Sequence, residues 1–400
     1  MDIRIEPAKL AGSIAAIPSK SYAQRVLLAS SLADGRTEIL LNSVSDDIRS
    51  AINALTALGA DIKIRRESLI VSPVKPVAYP TINCGESGTI ARFLLPVAAA
   101  LYENGVISGE GSLVKRPFAT LCDVLEKNGC SCLSKELPIT FHGRIRPGHY
   151  EIRGDESSQY LSGLLFALPL LGGDSKVTLT TGLESSGYAD MTLAVLKTFG
   201  VASGYEVGGG EGRYYIGAAE IKGRQIYRSP GRVVVEGDWS NAAFWLAAGV
   251  EVTGLRTDSP QQDRQFLAIK DENEIDAAEI PDLAPILSVM AAAKSGVARI
   301  YNVKRLRLKE SDRMESIANM LAALGCHTET SDNEIIIFGT GKMRGGTVDG
   351  AGDHRIVMSA AIASCFCEEA VTIRGAQAVN KSYPHFFADF NMLGGKSFVI

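Results

Sequence analysis

The spacing of one short motif constrains the fold of this chain more than any other feature. Apolar helical stretches that stop at a glycine recur at Ala54-Leu55-Thr56-Ala57-Leu58-Gly59, Val124-Leu125-Glu126-Lys127-Asn128-Gly129 and Ala194-Val195-Leu196-Lys197-Thr198-Phe199-Gly200, about 70 residues apart. They return at Leu321-Ala322-Ala323-Leu324-Gly325 and Phe390-Asn391-Met392-Leu393-Gly394, and the doubled gap before Gly325 leaves room for one divergent copy around Asp263 to Asn273. Within a copy the periodicity reads as polar start, apolar helix, strand, second helix ending at the glycine, then one or two strands. In the third copy Ser158 to Leu171 reads as helix, Lys176 to Thr181 as strand, Asp190 to Phe199 as helix and Arg213 to Ile216 as strand.

Six β-α-β-α-β-β copies fit the 400 residues, which exceed one core, so an α/β chain of two domains with three copies each is expected. Turn formers at Ala11-Gly12-Ser13 and Tyr227-Arg228-Ser229-Pro230-Gly231 place the crossings, giving 13–228 as one lobe and 1–12 with 229–400 as the other. Gly208-Gly209-Gly210-Glu211-Gly212 lacks the Lys-Ser/Thr ending of a phosphate loop and reads as a hairpin tip.

Helix after helix also opens on a polar segment: Pro18-Ser19-Lys20-Ser21, Gly85-Glu86-Ser87-Gly88-Thr89, Gly154 to Gln159, Gly237-Asp238-Trp239, Pro281-Asp282 and Gly352-Asp353-His354-Arg355. Free N–H groups and the positive end of the helix dipole make such starts anion sites, and nearby cations strengthen them. Each serves equally as an ordinary cap, and the Gly237 start, which carries no cation, reads only as a cap. The net charge of -4 excludes binding through a general basic field, so cations for an anionic ligand must be gathered locally. Seven cysteines without CxxC spacing imply reduced thiols and neither a disulfide framework nor a metal site. Without a secretory signal or a membrane-length apolar run, a cytoplasmic protein that binds neither membrane nor nucleic acid is expected.

Several groups could carry chemistry. Lys20 sits between Ser19 and Ser21 with Arg25 about one turn on, so all could face one oxyanion. Ser157, Ser158 and Gln159 offer hydroxyls and an amide, extended by Ser185 and Tyr188. Arg92 and Arg116 flank a loop whose Gly88 allows close backbone approach. Lys309-Glu310-Ser311-Asp312-Arg313 sets acid beside base at a helix start, and Arg355 and Lys381 repeat the theme. Asp282 and Glu310 supply the two carboxylates that proton transfer at a hydroxyl and at a carbon requires.

Taken in order, these motifs, together with Lys115-Arg116-Pro117 and Lys381-Ser382-Tyr383-Pro384, resemble the 5-enolpyruvylshikimate-3-phosphate synthase family, the enolpyruvyl transferases of the shikimate pathway, over almost the whole chain. The resemblance implies two domains of three repeats with the active site in the interdomain cleft and closure on substrate. It implies that Lys20, Ser21, Arg25, Ser157, Ser158, Gln159, Ser185, Asp282 and Lys309 hold shikimate 3-phosphate. It assigns phosphoenolpyruvate to Lys20, Gly88, Arg116, Gln159, Arg313, Arg355 and Lys381, with Lys20, Asp282 and Glu310 catalytic. No metal or redox cofactor is implied, and a monomer is expected. Glu86 and Arg305 depart from residues common in the family and are left out of both sets. The related transferase acting on a UDP-linked amino sugar carries a Cys-bearing loop, whereas Gly111 to Pro117 has none; an RNA-binding relative would need more than the 7% aromatic content found.

Overall fold

Glycine fixes the repeat because only it enters the left-handed region without steric penalty. Gly59, Gly129, Gly200, Gly325 and Gly394 have φ of +113°, +102°, +71°, +85° and +100°. In each case the next residue turns its N–H back to the carbonyl five residues earlier, as Ala60 to Leu55 at 3.0 Å and Cys326 to Leu321 at 2.9 Å. That is the Schellman closure, which satisfies orphan carbonyls and stops the helix. A sixth occurs at Gly249, where Val250 N donates to Trp245 O at 3.0 Å.

The computed structural model describes residues 1–204 and 217–400 and, between them, the backbone of the short strand Glu206–Val207. The hairpin tip expected at Gly208 to Gly212 and the strand expected at Arg213 to Ile216 lie outside the described residues. The second repeat shows the plan. Strand Thr81–Asn83 leads through helix Gly88–Leu101 to the parallel strand Asn104–Ser108, then through helix Ala119–Lys127 to the strands Ser131–Cys132 and Ile139–His142. The sheet order is first, second, fourth, third, and five four-stranded sheets of this order occur among the described residues.

Two sheets borrow a strand from a distant part of the chain. Arg232–Val234 pairs in parallel with Thr37–Leu40 and supplies the first strand of the first repeat. Ile3–Glu6 lies between Val371–Arg374 and Lys396–Val399 and supplies the fourth strand of the last. The divergent copy keeps only the parallel pair Ser13–Ala15 with Glu251–Thr253, one full helix, Trp239–Ala247, and a shrunken second one, Gln262–Gln265 running into Phe266–Ile269.

These pairings move the crossings. The chain divides into Pro18–Val235 and into Met1–Ile17 with Glu236–Ile400, rather than at 12/13 and 228/229. Ser13–Ala15 has its partner in the second of these units, and Arg232–Val234 has its partner in the first, so the turn formers mark loops inside each unit. Each unit has its own apolar core, one around Phe93, Phe166 and Leu164, the other around Trp245, Phe386 and Leu287.

Candidate active site

In the unit Pro18–Val235, the buried Arg25 is held by neutral groups. Helix Lys20–Leu32 starts at Ser19, whose Oγ accepts from Tyr22 N at 3.4 Å. Arg25, one turn in and 1% exposed, donates from Nε to Thr192 Oγ1 at 2.8 Å, from Nη1 to Ser21 O at 2.7 Å and from Nη2 to Tyr188 O at 3.0 Å. Its guanidinium lies over the rings of Phe93 and Tyr188, at 5.0 and 5.7 Å from the centroids. Burial pulls its pKa down to about 9, and no described carboxylate pairs with it. Lys20, by contrast, has Nζ 2.7 Å from Asp47 Oδ2.

The next two helix starts are joined by a clamp. Gln159, on helix Ser158–Ala167 capped by Ser157, donates from Nε2 to Thr89 Oγ1 at 2.9 Å and accepts at Oε1 from Arg92 Nη1 at 2.7 Å. Arg92 also donates to Pro117 O at 3.1 Å and lies against Phe118 and Tyr160. Ser87 does not cap its helix; its Oγ accepts from Gln24 Nε2 at 2.7 Å. A Cβ on Gly88 would come within 2.8 Å of Arg116 Nη1, so this glycine makes room for that guanidinium. Ser185 stands in the left-handed region at φ 55°, a strained choice for a serine.

In the other unit, cations and carboxylates are interlocked. Asp282 precedes helix Ala284–Ala292 but does not cap it. Its Oδ1 accepts from Arg313 Nη1 at 2.8 Å and lies 3.6 Å from Lys309 Nζ, and its Oδ2 accepts from Arg355 Nη2 at 3.3 Å. Arg313 further binds Glu310 Oε2 through Nη2 at 2.8 Å and Asp353 Oδ2 through Nε at 2.7 Å. Asp353, fully buried, also caps its own helix by accepting from Arg355 N at 2.9 Å. Burial opposes ionisation of Asp282, yet Lys309, Arg313 and Arg355 outweigh it and hold the carboxyl well below its usual range, against a push from Glu310. Burial and the nearby Arg313 and Arg305 draw Lys309 down to about 8, with Asp282 pulling the other way.

Arg355 is buried at 1% exposure, and its Nε and Nη1 find no hydrogen-bond partner among the described residues. Lys381, at the end of the turn Ala376–Lys381, is buried too.

With this geometry in hand, the chain matches the family EPSP synthase (3-phosphoshikimate 1-carboxyvinyltransferase) over residues 5–268 and 251–390. It is 39% identical to the 3-phosphoshikimate 1-carboxyvinyltransferase of Clostridium kluyveri, with 98% of this chain and 97% of that protein aligned, and 37% identical to that of Clostridioides difficile, with 98% of each. This chain belongs to the EPSP synthase family. Two solved structures of EPSP synthase from Acinetobacter baumannii share its fold, with TM-scores of 0.78 and 0.80 at 22% and 21% identity and complete coverage of both chains.

For this EPSP synthase family member, the structure gathers Asp282, Lys309, Glu310, Arg313 and Arg355 into one cluster of direct contacts. Sequence reasoning missed two residues of equal structural weight. Asp353 anchors Arg313, and Arg92 orients Gln159; both were in view as motif members, and a hydrogen-bonding count for a buried Arg points to such partners. Glu86 Oε2 accepts from Ser112 Oγ at 3.5 Å, so its carboxylate lies along the Gly111–Lys115 turn. Arg305 donates to Ala278 O at 3.3 Å. Among the described residues no metal-binding cluster occurs and no helix is long and apolar enough to cross a membrane.

Proposed function

We propose that this chain transfers the enolpyruvyl group of phosphoenolpyruvate to the 5-hydroxyl of shikimate 3-phosphate, giving 5-enolpyruvylshikimate 3-phosphate and phosphate on the route to chorismate and the aromatic amino acids. The observation that carries it is Asp282 ringed by Lys309, Arg313 and Arg355, with Glu310 sharing Arg313. Such a group stores a base among cations that anionic substrates can claim.

Glu310 gives a proton to the methylene carbon of phosphoenolpyruvate, whose central carbon then becomes electrophilic. The 5-hydroxyl attacks it and surrenders its proton to Asp282, forming a tetrahedral ketal phosphate. Glu310 takes a proton back from the methyl group as the C–O bond to phosphate breaks, Lys20 balances the charge of the departing phosphate and gives it a proton, and the hydroxyl proton held by Asp282 returns through solvent to Lys20. As it stands, Asp282 is a weak base because three cations hold its proton affinity down. Phosphate or carboxylate groups drawing on Lys309 and Arg355 raise that affinity just when the hydroxyl arrives.

Binding follows the charge. Lys20, Ser21, Arg25, Ser157, Ser158, Gln159, Ser185, Asp282 and Lys309 receive shikimate 3-phosphate; Arg25, buried without a counter-ion, is the support for its phosphate. Lys20, Gly88, Arg116, Gln159, Arg313, Arg355 and Lys381 receive phosphoenolpyruvate, and the open donors of Arg355 support that side. We further propose a cytoplasmic monomer; seven cysteines that all remain thiols suit a reducing compartment.

Phosphate release with phosphoenolpyruvate and shikimate 3-phosphate, beside a UDP-linked amino sugar as alternative acceptor, tests the reaction. Turnover with the UDP-sugar alone overturns it.

A further inference from the structure

The divergent repeat has traded its second helix for something. Its turn Gln262–Gln265 carries Asp263, 4% exposed, and is pinned to the start of helix Trp239–Ala247. Gln261 does the pinning: Oε1 accepts from Trp239 N at 3.0 Å, while Nε2 donates to Glu236 Oε1 and Gly237 O, both at 2.8 Å. Ser259 Oγ donates to the same Glu236 oxygen at 2.8 Å. Ser240 Oγ, from the first turn of that helix, donates to Asp263 Oδ2. Side chains so fully bonded have one arrangement available, so the Asp263 carboxylate is fixed.

The helix that holds it lies against Arg355 through Phe244, and the charges of Asp263 and Arg355 act on each other. Burying a guanidinium with two nitrogens unbonded is costly, and a single hydrogen bond to Asp282 does not offset that. Burial works against the charge of Arg355, and Asp282, Asp238 and Asp263 together outweigh both burial and the repulsion from Arg313. Asp238 caps the helix through Asn241 N at 2.7 Å, and Phe244 of that helix lies 5.8 Å from the guanidinium carbon. Asp263 is thus a counter-charge for Arg355 whose one hydrogen bond is spent on Ser240, leaving donors of Arg355 open to a ligand.

We propose that Asp263 is a positioning residue for phosphoenolpyruvate: it holds buried Arg355 charged with open donors, and takes up a proton from solvent when the incoming anion replaces it as counter-charge. The inference rests on Arg355 binding phosphoenolpyruvate. The groups facing Asp263 are Asp282 and Asp238, which repel a second negative charge, Arg355, which favours it, and Ser240, which hydrogen-bonds it. Burial first, then Asp282, pushes its carboxyl up to about 7, so near neutral pH a change at Arg355 shifts its proton occupancy.

The test varies phosphoenolpyruvate at saturating shikimate 3-phosphate from pH 6 to 9 in the full-length protein. Wild-type kcat/KM for phosphoenolpyruvate should fall as pH rises through about 7. Asp263→Asn, which keeps the acceptor for Ser240 and mimics the protonated form, should lose that limb while keeping KM for shikimate 3-phosphate. Asp263→Ala, which also removes the acceptor for Ser240, should lose the same limb and raise KM for phosphoenolpyruvate about tenfold at every pH, by loss of the hydrogen bond that fixes the turn; Asp263→Asn suffices if the alanine variant does not fold. Arg355→Lys is the control. If it leaves KM for phosphoenolpyruvate unchanged, the assignment of Arg355 and this inference both fail. If it weakens phosphoenolpyruvate while Asp263→Asn retains the wild-type limb, or disturbs both substrates equally, the positioning role alone is overturned.

Discussion

One buried arginine from each unit, Arg25 and Arg313, is held by opposite means. In Pro18–Val235, Arg25 bonds to a hydroxyl, two carbonyls and aromatic faces, so its positive charge is oriented but not cancelled by a described carboxylate. In the other unit Arg313 is shared among the carboxylates of Asp282, Glu310 and Asp353. Neutral holding leaves charge for a ligand to claim, whereas ionic holding stores charge that a ligand must displace. The first suits recognition of an anion, the second suits proton transfer that waits for one.

The largest effect should come from the matched cluster. Asp282→Asn keeps the shape but removes the base, and kcat should fall by ~10²–10⁴-fold with little change in KM for phosphoenolpyruvate, read by single-turnover phosphate release. A loss confined to KM would erase the distinction drawn between the units. Next comes the uncancelled side. Arg25→Met should raise KM for shikimate 3-phosphate by roughly 100-fold, in line with ~1.5–3 kcal/mol for a charge-assisted hydrogen bond, and leave phosphoenolpyruvate within about twofold. Equal damage to both substrates in steady-state kinetics would mean Arg25 serves packing instead.

A smaller change is expected at Gly88. Its Cβ would fall 2.8 Å from Arg116 Nη1, so Gly88→Ala should displace that guanidinium and raise KM for phosphoenolpyruvate about tenfold, and weaken its mimic glyphosate likewise. Unchanged inhibition constants would show that Arg116 shifts without loss. The mildest effect concerns Lys309. A lysine drawn down to about 8 carries its charge below that pH and loses it above, so kcat/KM for shikimate 3-phosphate should decline up to tenfold per unit above about pH 8. Lys309→Arg, charged throughout, should flatten that decline.

Much of this was legible in the sequence, for identifiable reasons. A left-handed helix stop needs glycine, so the repeat announces itself at Gly59, Gly129, Gly200, Gly325 and Gly394. The cluster Lys309 to Arg313 is local, and Asp282 stood out as an acid at a helix start, whereas the three cations around it come from distant segments. The crossings were not legible, because strand pairing is a long-range choice and the turn formers near Gly12 and Gly231 mark loops equally well inside a unit. Gly88 was expected to admit an anion to the backbone; that it shelters Arg116 depends on a side chain 28 positions away. The start at Asp238 read as a cap, which it is, but its tie to Asp263 and Arg355 spans three distant segments with no local signature.

The borrowed strands carry a consequence for how the polypeptide is made. The first repeat lacks its opening strand until Arg232–Val234 has left the ribosome, so two further repeats are synthesised while its sheet keeps an open edge. At ~5–20 residues per second, Ile3–Glu6 then waits roughly 20 to 80 s for both its neighbours, Val371–Arg374 and Lys396–Val399. A segment made before either of its partners is thus among the last to be placed, and during that interval its backbone is open to chaperones and proteases.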